Sequence, residues 1–412
     1  MGNVEAVRAI LPEGVLVDAV VKADAYGHGA VGVASWLETQ GAVDGLCVAT
    51  VDEGLELRRA GLRLPILVLY VVPAERAVEA AAAGLTLTVG EPRLLDETVA
   101  ALAAAGVLDP ERPVDVHVEI ETGLGRAGVE PPNAAAIAER IAAVPGLRLG
   151  GVWSHLAAPG DRDRSGAQRD RFEQAVDAVS PGLGGRTHLG HLAATGGLLA
   201  SSVPSYDRVR LGLGLYGLVP DGLQPAGKGT AAAAGLRPVM SLHARPIRVA
   251  DLPAGAGVSY GPTFETSRPS RIATLPIGYG DGWPRSLSNR AEAIVRGLRV
   301  PLVGNVAMDA VMADVTDVPG LQVDLDDAFT LLGEGGGSDS RVTPPITAGE
   351  LAQVRTTVTW EVVTAMARRL PRVYHAAAVP VGMRTLTEEV YPWLPVSSSG
   401  TATSATSRST RS

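Results

Sequence analysis

The chain has 412 residues, 46% of them hydrophobic, and a formal net charge of -8. That length and apolar content suffice for two domains with large cores, while the acidic balance argues against nucleic acid or an anionic membrane as the main partner. The single cysteine, Cys47, excludes an internal disulfide, and its Gly-Leu-Cys-Val-Ala setting marks it as core filler. No uninterrupted apolar run approaches a membrane span, and no basic segment precedes an apolar one at the N-terminus, so a cytoplasmic location is expected.

Taken in order, the chain first alternates short β-type runs with alanine-rich stretches of helical period. The strand candidates are 15–23, 46–50, 65–70, 85–89, 114–120, 147–155, 186–194 and 207–217. Helix candidates lie between them at 31–40, 51–60, 74–83, 91–105, 133–143 and 167–179. Eight strands with crossover helices predict a (β/α)8 barrel over residues 1–218. A Gly, Pro and Ala-rich linker follows at 219–238, and then strand-like segments at 240–249, 271–276, 293–300 and 307–315. These point to a mostly β domain over 239–396, with a helix at 348–352 continuing in broken form through 360–369. Residues 397–412 are nearly all Ser, Thr, Ala and Gly, a composition that cannot bury enough to order itself, so a disordered tail is expected.

In such a barrel the chemistry sits at the carboxyl ends of the strands. The first strand candidate runs into Val21-Lys22-Ala23-Asp24-Ala25-Tyr26-Gly27-His28-Gly29. A lysine there is either a cation that snorkels to solvent or an amine desolvated enough to form a Schiff base with a carbonyl cofactor. The fifth strand delivers Glu119 and, past a glycine-rich loop, Arg126; the sixth delivers Trp153, Ser154 and His155; the eighth delivers Arg210. Each is singly compatible with an ordinary polar residue of a barrel rim. The loops after strands seven and eight are the usual phosphate site of such barrels, and Thr195, Gly196, Gly212 and Leu213 are suitably placed there. Among the seven histidines only His188 and His191 stand close together, and strand alternation accounts for them more simply than a metal.

The string around Lys22 resembles the pyridoxal-phosphate signature of the alanine racemase family. So do Val209-Arg210-Leu211-Gly212-Leu213-Gly214, Gly257-Val258-Ser259-Tyr260-Gly261, Ile277-Gly278-Tyr279-Gly280-Asp281-Gly282 and Val303-Gly304-Asn305-Val306-Ala307-Met308-Asp309. The likeness extends over nearly everything from Asn3 to Thr385. It implies pyridoxal 5'-phosphate as cofactor, alanine as substrate, and a homodimer with shared sites. Lys22 would carry the cofactor and act as one base, and Tyr260 would be the second base, reached across the dimer interface. Tyr26 would reach the phosphate and Arg210 the pyridine nitrogen. Arginine keeps its own proton, so it cannot protonate that nitrogen and leaves the ring a poorer electron sink. By the same likeness Arg126 would contact cofactor and substrate carboxylate, Met308 would hold that carboxylate through its N–H, Tyr279 would narrow the substrate access, and His155 would link Arg210 to Tyr260. Supply of D-alanine to a cell wall is the implied role.

Five departures from the family pattern stand out. Met1 and Gly2 replace a strand-forming segment, so either the start lies upstream or the second domain lacks a strand. Glu119 stands where the family often has a carbamylated lysine, and is expected to orient Arg126 directly or through water. Ala194-Thr195 replaces Asn-Ser, Trp360 replaces a second phosphate-binding tyrosine, and Asn305 replaces an interface arginine. Two alternatives remain open at this stage: a racemase of another amino acid, and a non-catalytic cofactor-binding protein, which would need neither the β domain nor Tyr260. A decarboxylase of related architecture is disfavoured because the second domain has no cysteine.

Overall fold

The computed structural model describes residues 1–180, 190–335 and 343–394. Eight parallel strands, β1 (Leu16–Val20), β2 (Gly45–Val48), β3 (Ile66–Val71), β4 (Leu85–Val89), β5 (Val114–Glu119), β6 (Leu147–Trp153), β7 (Gly190–His191) and β8 (Arg208–Leu211), form one sheet in the order β7-β6-β5-β4-β3-β2-β1-β8. A parallel bridge between Ala194 and Arg210 brings β8 against the end of β7, so the sheet nearly closes into a barrel. Strands β1 and β2 are buried almost throughout, as a sheet covered by helices on one side and filled by side chains on the other requires.

Several strands are shorter than the periodicity predicts. β1 stops at Val20 because the chain turns left-handed after Lys22, and β8 stops at Leu211 because Leu213–Tyr216 coils into a 3-10 turn. Of the expected seventh strand, residues 186–189 lie outside the described residues. The helix expected at 167–179 begins earlier, at Arg162, where the Asp161 carboxylate caps the N–H of Arg164. The linker holds an unexpected helix, Lys228–Gly235, whose Ala232 packs with Leu199 and Leu236. Its glycines and short alanine run gave too weak a period to signal it.

The second half is antiparallel. β9 (Leu242–Ala244), β10 (Arg248–Leu252), β11 (Ser270–Leu275), β12 (Glu292–Val295), β13 (Leu298–Val303), β14 (Val311–Asp314) and β15 (Phe329–Leu332) form a seven-stranded sheet in the order β10-β11-β14-β13-β12-β15-β9. The expected strand at 240–249 is broken into β9 and β10 around Pro246, which has no N–H for a ladder. Arg296 and Gly297, both with positive φ, make the two-residue hairpin between β12 and β13. A further small sheet, β16 (Arg372–Ala376), β17 (Val379–Arg384) and β18 (Glu389–Val390), was not anticipated. The expected tail at 397–412 lies outside the described residues, and no helix among the described residues is long and apolar enough to cross a membrane.

That small sheet reaches back to the barrel. Arg384 of β17 grips the Asp24 carboxylate with both terminal nitrogens, at 2.7 and 2.8 Å, and the Arg384 side chain is only 3% exposed. Burial alone would raise the Asp24 carboxyl, but the Arg384 hydrogen bonds and the Ala30 N–H outweigh it and hold the group below its ordinary value. Removing one partner of such a pair strands the other charge. Arg384→Met is therefore expected to destabilise the fold by about 3–5 kcal/mol, read as a fall in the denaturant midpoint. Because folding lowers the Asp24 carboxyl, the pair's contribution to wild-type stability is full above about pH 4 and fades as acid protonates the native carboxylate.

Candidate active site

Lys22 is the last residue before a turn in which Ala23, Asp24, Ala25 and Tyr26 all have φ between 52° and 54°. Left-handed backbone costs an L-residue roughly 1–2 kcal/mol each, so the turn persists only because its surroundings fix it. The Glu53 carboxylate accepts from the Ala23 N–H at 2.7 Å with one oxygen and from the Ala49 and Thr50 N–H groups with the other, tying the loops after β1 and β2 together. Asp24 accepts from the Ala30 N–H and from Arg384. Arg372 donates to the Gly27 carbonyl at 2.8 Å, and the Tyr216 hydroxyl donates to the Val20 carbonyl at 2.8 Å. Gly27 cannot be replaced there, since a Cβ would meet the Val363 carbonyl.

The turn aims Lys22 into a cavity of about 680 Å³ whose walls also include Tyr26, Arg126, His155, Thr195, Arg210, Gly212, Leu213 and Trp360. Burial lowers the Lys22 amine below an ordinary lysine, Arg126 lowers it further, and Glu53 opposes both. Arg126 donates to the buried Glu119 at 3.0 Å, so the contact expected between them is direct. Burial raises the Glu119 carboxyl despite Arg126.

Arg210 is 2% exposed. It donates to the His191 ring Nδ1 at 2.8 Å and to the carbonyls of His191 and Ser154, and its guanidinium lies over the Trp153 ring at 4.9 Å. Burial pulls Arg210 down to about 10, which leaves it charged near neutrality. Since arginine can only donate, His191 must accept on Nδ1 and carry its proton on Nε2, which faces the His117 Nδ1 at 3.0 Å. Both histidines are neutral: burial and then the neighbouring arginines push His117 down to about 3 and His191 well below its usual value. This departs from the expectation for His155. It lines the cavity, and burial followed by Arg210 and Arg126 holds it down at about 3, but the ring hydrogen bond of Arg210 goes to His191. His117 was missed, and His191 was noticed but given no role. The signal was in β5, where His117 and Glu119 alternate with valines and so share the inner face.

At the other end of the cavity Thr195 Oγ1 accepts from the N–H groups of Gly212 and Gly214, at 3.2 and 3.1 Å, which leaves its own hydrogen to donate. Burial pushes the Tyr26 phenol up to about 12, so it too remains a donor. A Cβ on Gly212 would sit 2.9 Å from the Tyr26 oxygen, so only glycine leaves that hydroxyl its place. These donors, with the first turn of the helix Thr195–Ala200, suit the phosphate of a flat aromatic cofactor, while Lys22 and Arg210 face the space its ring would need. The residues present thus fit pyridoxal phosphate.

Tyr260, Tyr279 and Met308 stand apart. None lines the cavity; all belong to the β domain and are 79%, 43% and 53% exposed. They form a second group, since the Tyr279 N–H bonds the Ala307 carbonyl and the Asn305 side chain bonds the Tyr260 carbonyl.

The description "Alanine racemase, N-terminal domain" matches residues 2–220, and "Alanine racemase, C-terminal domain" matches 239–374. The chain is 37% identical over 377 residues to an alanine racemase of Nostoc sp., covering 90% of this chain and 92% of that protein. It is likewise 37% identical over 374 residues to one of Desulfovibrio desulfuricans, covering 90% and 94%. Among solved structures, the alanine racemase of Bacillus anthracis with bound L-Ala-P superposes with a TM-score of 0.81 at 29% identity, over 94% of this chain and 96% of that one. That of a D-cycloserine-producing Streptomyces lavendulae gives 0.77 at 33% identity, over 91% and 94%. Both halves, their order and the barrel-plus-β architecture are accounted for together, and the chain belongs to the alanine racemase family.

Proposed function

We propose that this protein interconverts L- and D-alanine with pyridoxal phosphate bound at Lys22, as a cytoplasmic homodimer in which Tyr260 of one protomer completes the cavity of the other. In this reading residues 1–218 hold the cofactor, 219–238 link, and 239–396 deliver the second base. The observation that carries it is the lowered Lys22 amine at the end of a buried strand, facing two arginines in the cavity while the tyrosine is exposed elsewhere. The lone, buried cysteine accords with a reducing compartment.

Racemisation removes a proton from one face of Cα and returns one to the other, so two fixed bases suit it better than one that must move. When bound, the cofactor delocalises the electron pair left at Cα. Lys22 exchanges the proton on one face through its amine, and Tyr260 exchanges it on the other through its phenol. Arg126 and the Met308 N–H hold the substrate carboxylate, and Tyr279 restricts access to small side chains. Thr195, Tyr26, Gly212, Leu213 and Trp360 retain the phosphate. Arg210, charged and fixed by neutral His191, offers hydrogen bonds to the ring nitrogen without releasing a proton, and His155 lines the same cavity.

Purified protein with added pyridoxal phosphate is expected to exchange the α-proton of L-alanine in deuterated water and to abolish its optical rotation. Lys22→Ala should abolish both, and Tyr260→Phe should slow racemisation roughly 10²–10⁴-fold. A bound carbonyl cofactor with no exchange on alanine would sink the reading. Shared sites make a separate prediction: inactive Lys22→Ala and Tyr260→Phe proteins, mixed and allowed to exchange subunits, should regain about one quarter of wild-type activity, because half the dimers then hold one intact site. No recovery despite subunit exchange would argue for sites confined to one chain. Finally, Glu119→Gln should lower kcat/KM for alanine roughly 10- to 100-fold through loss of the charge-assisted bond to Arg126, and an unchanged value would remove Glu119 from the substrate's reach.

A further inference from the structure

Tyr260 poses a problem of placement. Its ring is 79% exposed in the chain, so no packing within the chain fixes its direction, and only the backbone beneath it can. That backbone is unusual. Ser259 has φ +69°, a left-handed conformation that a serine adopts at some expense, and Gly261 follows at +51°.

The bonds that hold this turn converge on one side chain. Asn305 Nδ2 donates to the Tyr260 carbonyl at 2.9 Å and to the Gly261 carbonyl at 3.0 Å. In return the Ser259 hydroxyl donates to the Asn305 carbonyl at 2.6 Å. The two segments are therefore latched in both directions, the side chain of each on the backbone of the other, with Tyr260 between the two latch points. A second asparagine braces the same junction: Asn289 Nδ2 donates to the Thr263 hydroxyl at 2.9 Å, and Asn289 Oδ1 accepts from the Gly304 N–H at 2.6 Å. Gly304 itself has φ +78°, and a Cβ there would stand 2.6 Å from the Val258 carbonyl, so the two segments approach as closely as their backbones permit.

Asn305 also lies three residues before Met308, whose carbonyl accepts from the Gly280 N–H beside Tyr279. The three exposed residues of the β domain are thus set by one continuous piece of backbone. We infer that Asn305 is a positioning residue for Tyr260, holding the Ser259-Tyr260-Gly261 turn in the one conformation that presents the phenol to the cavity of the facing subunit. The inference rests on Tyr260 serving as the second base. The position calls for a donor, because two carbonyls of one turn accept from the two hydrogens of one nitrogen; an aspartate of equal size offers none and repels both oxygens.

The test uses Asn305→Asp, Asn305→Ala and Ser259→Ala in the cofactor-loaded full chain, with Tyr260→Phe as the reference. The Asn305 variants are expected to lose about 10- to 100-fold in kcat with KM changed less than about threefold, and Ser259→Ala to lose less, since misplacing a reacting group by about 1 Å suffices for such an effect. Thermal midpoint and the absorbance of the bound cofactor should stay near wild type, which separates misplacement from unfolding.

The equilibrium constant between enantiomers is unity, so any lesion lowers kcat/KM equally in both directions. The selective readout is therefore the fate of solvent deuterium. When one base is impaired, the other takes a proton, exchanges it with the deuterated solvent and returns a deuteron to the same face, so deuterium accumulates in recovered substrate from one enantiomer and not its mirror image. Asn305→Asp should shift this pattern toward that of Tyr260→Phe. A wild-type rate and deuterium pattern in the Asn305 and Ser259 variants, beside an impaired Tyr260→Phe, would overturn this inference alone. An unimpaired Tyr260→Phe would overturn it together with the two-base reading.

Discussion

The left-handed turn after Lys22 is the constraint on which the site depends. Four successive residues that are not glycine take a conformation disfavoured by roughly 1–2 kcal/mol each, and two carboxylates brace the turn. Glu53 accepts three N–H groups from two loops, and Asp24 accepts an N–H and a guanidinium. The strain is local, while the support comes from distant parts of the chain: Glu53 from the helix after β2, Arg372 and Arg384 from the last small sheet. The amine that the barrel presents is therefore set in part by the β domain, and the two halves cannot be assigned separate tasks of folding and chemistry.

The interior of the barrel is organised by a single donor. Arg210 has no lone pair to offer, so every group around it must accept: the carbonyls of His191, Ser154 and Leu192, the face of Trp153 and one nitrogen of His191. That demand propagates, fixing the tautomer of His191 and through it that of His117. Neutral histidines here avoid adding charge beside two arginines, and the arginine stays charged because its neighbours cannot take its proton. Glu119 and Arg126 are coupled differently. Burial favours a neutral Glu119 and raises its carboxyl, while Arg126 favours the charged form and opposes that rise.

Much of this was legible in the chain. The alternation of apolar runs with alanine-rich helical stretches is enough for the barrel, because parallel strands buried on both faces leave uninterrupted Val, Leu and Ile runs such as 66–69. Lys22, Tyr26, Arg126, His155, Thr195, Arg210, Gly212, Leu213 and Trp360 line one cavity, since strand-end positions of a barrel converge by topology. What escaped notice has physical causes. The sheet formed by β16 to β18 is largely exposed and lacks a strong alternating pattern. The Arg210–His191–His117 chain joins residues far apart in sequence, and nothing local in a histidine between glycine and leucine reveals its partner. The left-handed turn is written in alanines, which normally signal a right-handed helix. Only the pattern of Asp24, Gly27 and Gly29 around them hinted otherwise.

The two groups of site residues differ in how they are held, and the difference follows from where each completes its surroundings. Lys22, Arg210 and Thr195 stand in a cavity that exists within one chain, so burial and hydrogen bonds inside that chain fix them. Tyr260, Tyr279 and Met308 stand on an exposed face of the chain, where little packing restricts a side chain's rotamers. For such residues the chain can prepare only the backbone. It does so with hydrogen bonds from Asn305, Asn289 and Ser259 that clamp two turns against each other and leave the rings themselves untouched. In the proposed homodimer, a pre-formed turn would leave association only side-chain freedom to remove, so more of the free energy of subunit contact would remain to hold the subunits together.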